Sequence, residues 1–167
     1  MKPENIKLSE HFTLYEYVEG VAMPNKAIDM NWKAWTGEHM KAVQTHIETL
    51  EQLRTWLNHC YKSHNNDNPI TLIISAGFRC LDWEKHQGRS GNSQHTICAF
   101  DIKASNCSRE FSIKLHNAIY NYFDANKWMS GLAIKHATSG TGFIHIDFRE
   151  PTEAHKKRGY GARWVYP

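Results

Sequence analysis

Two short runs of the chain pair histidine with aspartate in a way that suits a metal ion. In Gly91-Asn92-Ser93-Gln94-His95-Thr96-Ile97-Cys98-Ala99-Phe100-Asp101-Ile102 a histidine sits in a turn-forming stretch, and an aspartate follows six positions later. The run Cys98 to Lys103 alternates and reads as a strand. Cys98, Phe100 and Ile102 then share one face, which leaves Ala99 and Asp101 on the other, beside the turn carrying His95. Phe143-Ile144-His145-Ile146-Asp147-Phe148 repeats the pattern: Ile144, Ile146 and Phe148 point one way, His145 and Asp147 the other. A lone histidine and aspartate at this spacing are commonly a turn histidine and a surface carboxylate. The paired His-x-Asp strand shifts the balance, because a half-buried sheet rarely aims two ionisable groups inward without use. Imidazole nitrogen and carboxylate oxygen suit zinc, and three protein ligands leave a fourth position open. Zinc brings the pKa of water to near 7, which lets a hydrolase attack an amide without a covalent nucleophile.

The elements that must position these groups belong to a chain of 167 residues, expected to form a single domain with a real core. A hydrophobic fraction of 41% and an aromatic fraction of 12% exclude a disordered protein. The net charge is +3, but 17 acids are interspersed among 20 bases, so a nucleic-acid-binding stripe is not expected. The run Lys156-Lys157-Arg158 has no aromatic platform beside it and reads as a solvated loop. Cys60, Cys80, Cys98 and Cys107 show no CxxC spacing, which excludes a zinc knuckle and a thioredoxin motif. Reduced, mostly buried thiols in a protein made in the cytoplasm are expected. The stretch MKPENIKLSEHF lacks the apolar core of a signal peptide, and no apolar run approaches a membrane span, so no membrane insertion is expected. A monomer is expected.

Taken in order, Thr13 and Glu16 form a capping box at a helix start, with Phe12 able to staple onto Tyr17. Ala22 to Asn31, with Pro24-Asn25, reads as a loop or linker, and residues 1–35 as an N-terminal arm packed on the core. Thr36 caps a long helix reaching about Tyr61, with Met40, Val43, Ile47, Leu50, Leu53, Leu57 and Cys60 on one core-facing stripe. His46 and His59 fall off that stripe and read as solvated. Ile70 to Ala76 is a buried strand. Leu81 to Gly91 reads as a long polar loop that delivers the chain to His95. Ser108 caps a second amphipathic helix with Phe111, Leu115, Ile119, Tyr122 and Phe123 inward. Gly131 to Ile134 is a short strand, Thr138 to Gly142 a turn, and 150–167 a polar, basic tail. The result is an α+β domain with a small antiparallel sheet and two main helices.

At this point the residues carry a resemblance. Ser93-Gln94-His95 followed by Ala99-Phe100-Asp101 resembles the Ser-x-His…Ala-x-Asp signature of the zinc D-alanyl-D-alanine carboxypeptidase family. That family includes phage endolysins that cut cell-wall peptides and shares its fold with the hedgehog signalling domain. Leu8-Ser9-Glu10-His11-Phe12-Thr13-Leu14-Tyr15-Glu16 resembles the N-terminal segment of its small bacterial and phage members. Ser75-Ala76-Gly77-Phe78-Arg79 is similar to their Ser-Gly-Tyr-Arg turn, Gly142 to Asp147 to their third-ligand strand, and Arg163 to Pro167 to their usual ending. The segments occur in the family's order and span nearly the whole chain.

The resemblance implies a hedgehog-type, D-Ala-D-Ala-peptidase-like domain holding one zinc ion on His95, Asp101 and His145. It implies that Arg79 stabilises the oxyanion of the tetrahedral intermediate and that Ser93 and Gln94 line the substrate pocket. Its substrates are the stem or cross-link peptides of peptidoglycan, cut as a carboxypeptidase or as an endopeptidase. A phage-encoded lysin released to the cell wall, a component carried on a virion, or a cytosolic recycling enzyme all fit. The chain departs from the family at two points. Its histidine and aspartate are six steps apart where the family has seven, with no glycine three after the histidine. Gly142 stands where many members carry a glutamate three before the last histidine. Asp147 is the first substitute for that general base, ahead of His136 and Glu150, and it equally suits a group orienting His145. A non-catalytic cell-wall-binding or structural module on the same fold is the alternative these departures leave open.

Overall fold

The start of the chain is fixed by local chemistry at each helix end. The computed structural model describes residues 2, 4–21, 23–136 and 140–166. Helix α1 (Leu14–Glu19) opens with the expected capping box: Thr13 Oγ1 accepts from Glu16 N, and Glu16 Oε2 accepts from Thr13 N at 2.9 Å. Phe12 and Tyr17, on either side of the cap, are both fully buried. Helix α2 (Asn25–Ala34) replaces the loop expected over Ala22 to Asn31. Pro24 sits at its N-cap, and the two residues it buries are Ala27 and Asn31, one of them polar. The apolar stripe that announces a helix is therefore missing from its sequence. Ala22 lies outside the described residues.

The long helix expected from Thr36 to Tyr61 is two segments, α3 (Gly37–His46) and α4 (Glu48–Tyr61), joined at Ile47. Ile47 keeps helical dihedrals but its carbonyl accepts at i+3 from Leu50 N, a local tightening of the ladder. The stripe continues across the joint, since Val43, Ile47, Leu50, Leu53 and Leu57 are all buried. Cys60, expected on that stripe, is exposed in the last turn of α4, and Met40 is only half-buried. His59 is exposed as expected. His46 is not: its ring stacks on Phe148, 3.9 Å between centroids, and burial lowers its pKa. The cysteines at 60, 80, 98 and 107 are all unpaired.

Strand β1 (Thr71–Ala76) leads into the turn at Gly77-Phe78-Arg79. The stretch read as a polar loop after it holds α5 (Leu81–His86), whose N-cap is Cys80 Sγ accepting from Trp83 N. A thiol is not a usual cap, which hides this helix in the sequence. Strand β2 (Ala99–Ser105) is followed by α6 (Arg109–Ala125), capped by Ser108 as expected. Strands β3 (Leu132–Lys135) and β4 (Phe143–Asp147) follow, then α7 (Glu153–Arg158) and β5 (Arg163–Tyr166). Of the turn expected at 138–142, residues 138 and 139 lie outside the described residues, as does Pro167. The basic run Lys156-Lys157-Arg158 is the last turn of α7, where cations meet the helix C-terminus, not a loop.

The strands form one sheet in the order β1-β2-β4-β3-β5. Its first three pairings are antiparallel, and β5 lies parallel to β3, so the sheet is mixed where an antiparallel one was expected. The physical reason is the connection: the segment from Phe148 to Ala162, with α7 inside it, is long enough to carry the chain back as a crossover. One sheet face carries Phe100, Ile102, Ile144, Ile146, Leu132 and Ile134, all in the hydrophobic cluster with Leu115, Ile119 and Phe123 of α6 and with Leu50, Leu53 and Leu57 of α4. The fold is thus α+β with a small mixed sheet. Among the described residues no helix is long and apolar enough to cross a membrane.

Buried Asn31 ties the N-terminal helices to the turn after β1. Its Nδ2 donates to Val18 O at 2.9 Å and Phe78 O at 2.7 Å, and its Oδ1 accepts from Cys80 N at 2.9 Å. Asn31→Ala strips partners from all three backbone groups, so it should destabilise by about 2–3 kcal/mol. Urea unfolding reads this directly, and an unchanged midpoint would contradict the assigned role.

Candidate metal centre

The opposite sheet face carries the polar groups. Register pairs Asp101 of β2 with His145 of β4, and His145 with Ala133 of β3. Directly opposed residues share a face, so Asp101 and His145 meet side by side. His95 arrives from a single 3₁₀ turn (Gln94–Thr96) capped by Ser93, whose Oγ accepts from His95 N at 3.3 Å. Ile97 and Cys98 join this turn to β2, which carries Asp101. His95, Asp101 and His145 are 1%, 5% and 3% exposed, and together they form a buried group that could hold a metal ion.

The tautomers follow from outer partners. His95 Nδ1 lies 2.5 Å from Gly77 O; a carbonyl only accepts, so Nδ1 carries the proton and Nε2 presents a lone pair. His145 Nε2 lies 3.3 Å from Asp147 Oδ2, whose carboxylate is also bound by Arg149 Nε at 2.9 Å and by Arg149 Nη2. The Asp147 carboxylate accepts, which frees the Nδ1 lone pair of His145. Those lone pairs and Asp101 Oδ1 converge: 3.2 Å between His95 Nε2 and His145 Nδ1, 3.2 Å from His95 Nε2 to Asp101, and 2.8 Å from His145 Nδ1 to Asp101. A tetrahedral ion with bonds of about 2.0–2.1 Å holds its ligand atoms about 3.3 Å apart. The donor set fits such an ion in both chemistry and spacing.

Electrostatics agree with a site that wants a positive charge. Burial alone would raise the pKa of Asp101, but its close contacts with His95 and His145 outweigh it and hold the carboxyl far below the usual range. Burial lowers His95, with Asp101 opposing. Burial also pulls His145 down, yet its bonds to Asp101 and Asp147 prevail and raise it. A proton on His145 is the alternative to a metal cation, and metal binding displaces it.

Asp147 is fully buried on the side of His145 away from Asp101. Burial would raise its pKa, but the His145 bond and Arg149 keep the carboxyl ionised well below its ordinary value. Gly131 N donates to Asp147 Oδ1 at 2.8 Å, and a Cβ at Gly131 would collide with that carboxylate, so only glycine fits there. Asp147 therefore sits as an orienting partner of His145, of the kind that fixes metal-ligating imidazoles.

A cleft of about 830 Å³ opens over Asp101, and its walls include Arg79, Glu84, Ser93, Phe143 and Tyr166. Arg79 is held by its own N–H, which donates to His95 O at 3.0 Å, and its Nε lies 3.2 Å from Glu84 Oε1. Gln94 is half-buried in the ligand turn and is not among the residues lining the cleft. His136 and Glu150, the other candidate bases, are exposed and do not line it either. Sequence reasoning missed Glu84, a carboxylate only 1% exposed, which sits between Arg79 and Arg89. It also missed Trp164 and Tyr166, whose rings lie 5.2 and 6.3 Å from that of His145. Burial and then the charge of Asp101 push the Tyr166 hydroxyl up to about 12. The signal for both rings was strand alternation in Arg163 to Tyr166, which puts residues 164 and 166 on one face.

Comparison with protein-family models, with curated proteins and with solved structures finds no match.

Metal content checks the assignment. The protein should hold about one ion per chain, and His145→Ala should lose it, because two ligands hold an ion poorly. Asp147→Asn should keep a site weakened about ten- to a hundredfold, read by competition with a chelating dye. Stoichiometric metal retained in His145→Ala would mean a misassigned ligand.

Proposed function

We propose that the chain is a zinc-dependent peptidase acting on the stem or cross-link peptides of peptidoglycan. The observation that carries this reading is the convergence of His95, Asp101 and His145, their lone pairs aimed at one point by Gly77 and Asp147, at the foot of a cleft walled by Arg79. Two imidazoles and one carboxylate are the donor set of zinc sites that keep a position open for chemistry. Zinc there would supply Lewis acidity and hydroxide at neutral pH.

The chain's own residues do the rest. Arg79 offers a fixed cation beside the ligand cluster, anchored through its backbone to His95 and through its side chain to Glu84, so it meets a substrate carbonyl oxygen without reorganising. Asp147, braced by Arg149 and Gly131, keeps the His145 ring turned so that Nε2 faces the carboxylate and Nδ1 faces Asp101. Ser93 caps the turn that presents His95 and lines the same cleft. The resemblance of these segments to the D-alanyl-D-alanine carboxypeptidase family supports a cell-wall peptide as the substrate class.

A second reading, a binding module with the same site, is favoured by one observation. Among the described residues, the carboxylates lining the cleft are Asp101, turned into the ligand cluster, and Glu84, held by two guanidiniums. Neither is free to serve as a general base. Digestion of purified peptidoglycan with mass analysis of released peptides separates the two. The peptidase reading expects release that stops on metal removal, and Arg79→Ala should lower the rate about a hundred- to a thousandfold with metal retained. Stoichiometric zinc with no released peptide would establish the module.

A further inference from the structure

Strand alternation lays a second row of side chains beside the ligand row. On β2, Lys103 follows Asp101 by two residues; on β4, Phe143 precedes His145 by two; on β3, Lys135 pairs with Phe143 and, across the next strand, with Tyr166. Lys103, Phe143, Lys135 and Tyr166 all line the cleft. Two residues along a strand is about 7 Å.

The charges of the walls do not cancel. Arg79 and Arg89 share a single carboxylate, Glu84, at 3.2 and 2.8 Å. The other cleft carboxylate, Asp101, is committed to His95 and His145. No described carboxylate pairs with Lys103 or Lys135, although Asp124, Asp147, Glu153 and Glu16 all find partners elsewhere. Lys103 and Lys135 thus line one cleft from the two strands that flank β4, on either side of Phe143, and no described carboxylate pairs with them. Low-dielectric walls of one sign focus attraction for an oppositely charged ligand.

We infer that Lys103 and Lys135 form a carboxylate-binding subsite, so that the cleft takes a peptide bearing a free carboxylate close to the point above Asp101 and His145. A step of about 7 Å matches one to two residues of extended peptide. The carboxylate is therefore the C-terminal group, or an acidic side chain, of the residue one or two places beyond the scissile bond. Phe143, between the lysines, offers an apolar surface for the small side chain of that residue. This rests on the peptidase reading for the position of the bond, but not for the binding itself.

Binding is measured by calorimetry on the full metal-bearing chain. The probe is a peptide ending in D-Ala-D-Ala whose last amide is replaced by a ketomethylene, so that it cannot be cleaved. Its C-terminal carboxamide and a carboxamide carrying one acidic side chain are the comparison probes. The free acid should bind at least tenfold tighter than the neutral carboxamide, and Lys103→Gln or Lys135→Gln should each weaken it about tenfold while leaving carboxamide binding and metal content unchanged. If the side-chain acid rather than the terminal acid gains lysine-dependent affinity, the subsite stands and its ligand is an acidic side chain. Equal binding of acid and neutral carboxamide overturns the inference, as does a preference that survives the double lysine variant or no binding of any probe at millimolar concentration. Wall digestion by the same preparations keeps the two readings apart. Peptide release without charge preference sinks the subsite alone, and lysine-dependent acid binding without release sinks the peptidase alone.

Discussion

Everything around the centre serves one constraint: a carboxylate and two imidazole lone pairs are buried within about one bond-length of contact distance. Asp101 Oδ1, His95 Nε2 and His145 Nδ1 all lie within 3.2 Å of each other. Three acceptors at that spacing repel, and an ionised carboxylate out of water costs several kcal/mol unless something positive meets it. The chain does not relax the conflict by rotating the rings away. Gly77 O holds one imidazole by its far nitrogen and Asp147 holds the other. The only relief left is a cation, either a proton on His145 or a metal ion. That is why the outer partners matter as much as the ligands themselves.

Those outer partners are in turn fixed by backbone. Gly77 cannot gain a Cβ without striking Tyr17 of α1, and Phe78 N donates to Tyr17 O at 2.9 Å. The carbonyl that orients His95 is thus set by packing against the N-terminal helix, with Asn31 of α2 holding the next residues. Asp147 depends on the other end of the chain. Gly131 gives up its side chain to the carboxylate, Ser130 Oγ donates to Arg149 O at 2.8 Å, and Gly161 N donates to Trp128 O at 2.9 Å just before β5. One imidazole is therefore tuned by residues 14–34 and the other by residues 128–163. The ligand cluster lies where these two sets of supports come together.

Much of this was legible in the sequence, and the reason is periodicity. Alternation in Cys98 to Lys103 put Asp101 opposite the apolar face of its strand, and alternation in Phe143 to Phe148 did the same for His145 and Asp147; the register then paired the two strands. The 3.6-residue stripe from Val43 to Leu57 announced the helical layer. Elements without such periodicity were lost: α2 buries a polar asparagine, α5 is capped by a cysteine, and the break at Ile47 leaves the stripe intact. Glu84 was invisible for a different reason. Its role depends on two arginines that the chain brings to it from opposite sides, Arg79 from the turn after β1 and Arg89 from beyond α5, and no local pattern encodes that meeting. The parallel placement of β5 is also a tertiary choice, set by the crossover through α7.

That last choice shapes the cleft. In an antiparallel meander the sheet would end at β3, and His145 would have only Ala133 beside it on the open side. Adding β5 in parallel sets Trp164 opposite Ala133 and Tyr166 opposite Lys135. An indole then lies 5.2 Å from His145 and 5.4 Å from the Arg149 guanidinium, a distance at which the ring face attracts the cation. The same ring that shields His145 from water also steadies the arginine that keeps Asp147 ionised. Excluding water raises the worth of each charge contact beneath it. Tyr166, one row up, completes the cleft wall beside Lys135. The same wall that shelters the buried acceptors therefore also carries Lys135 into the cleft.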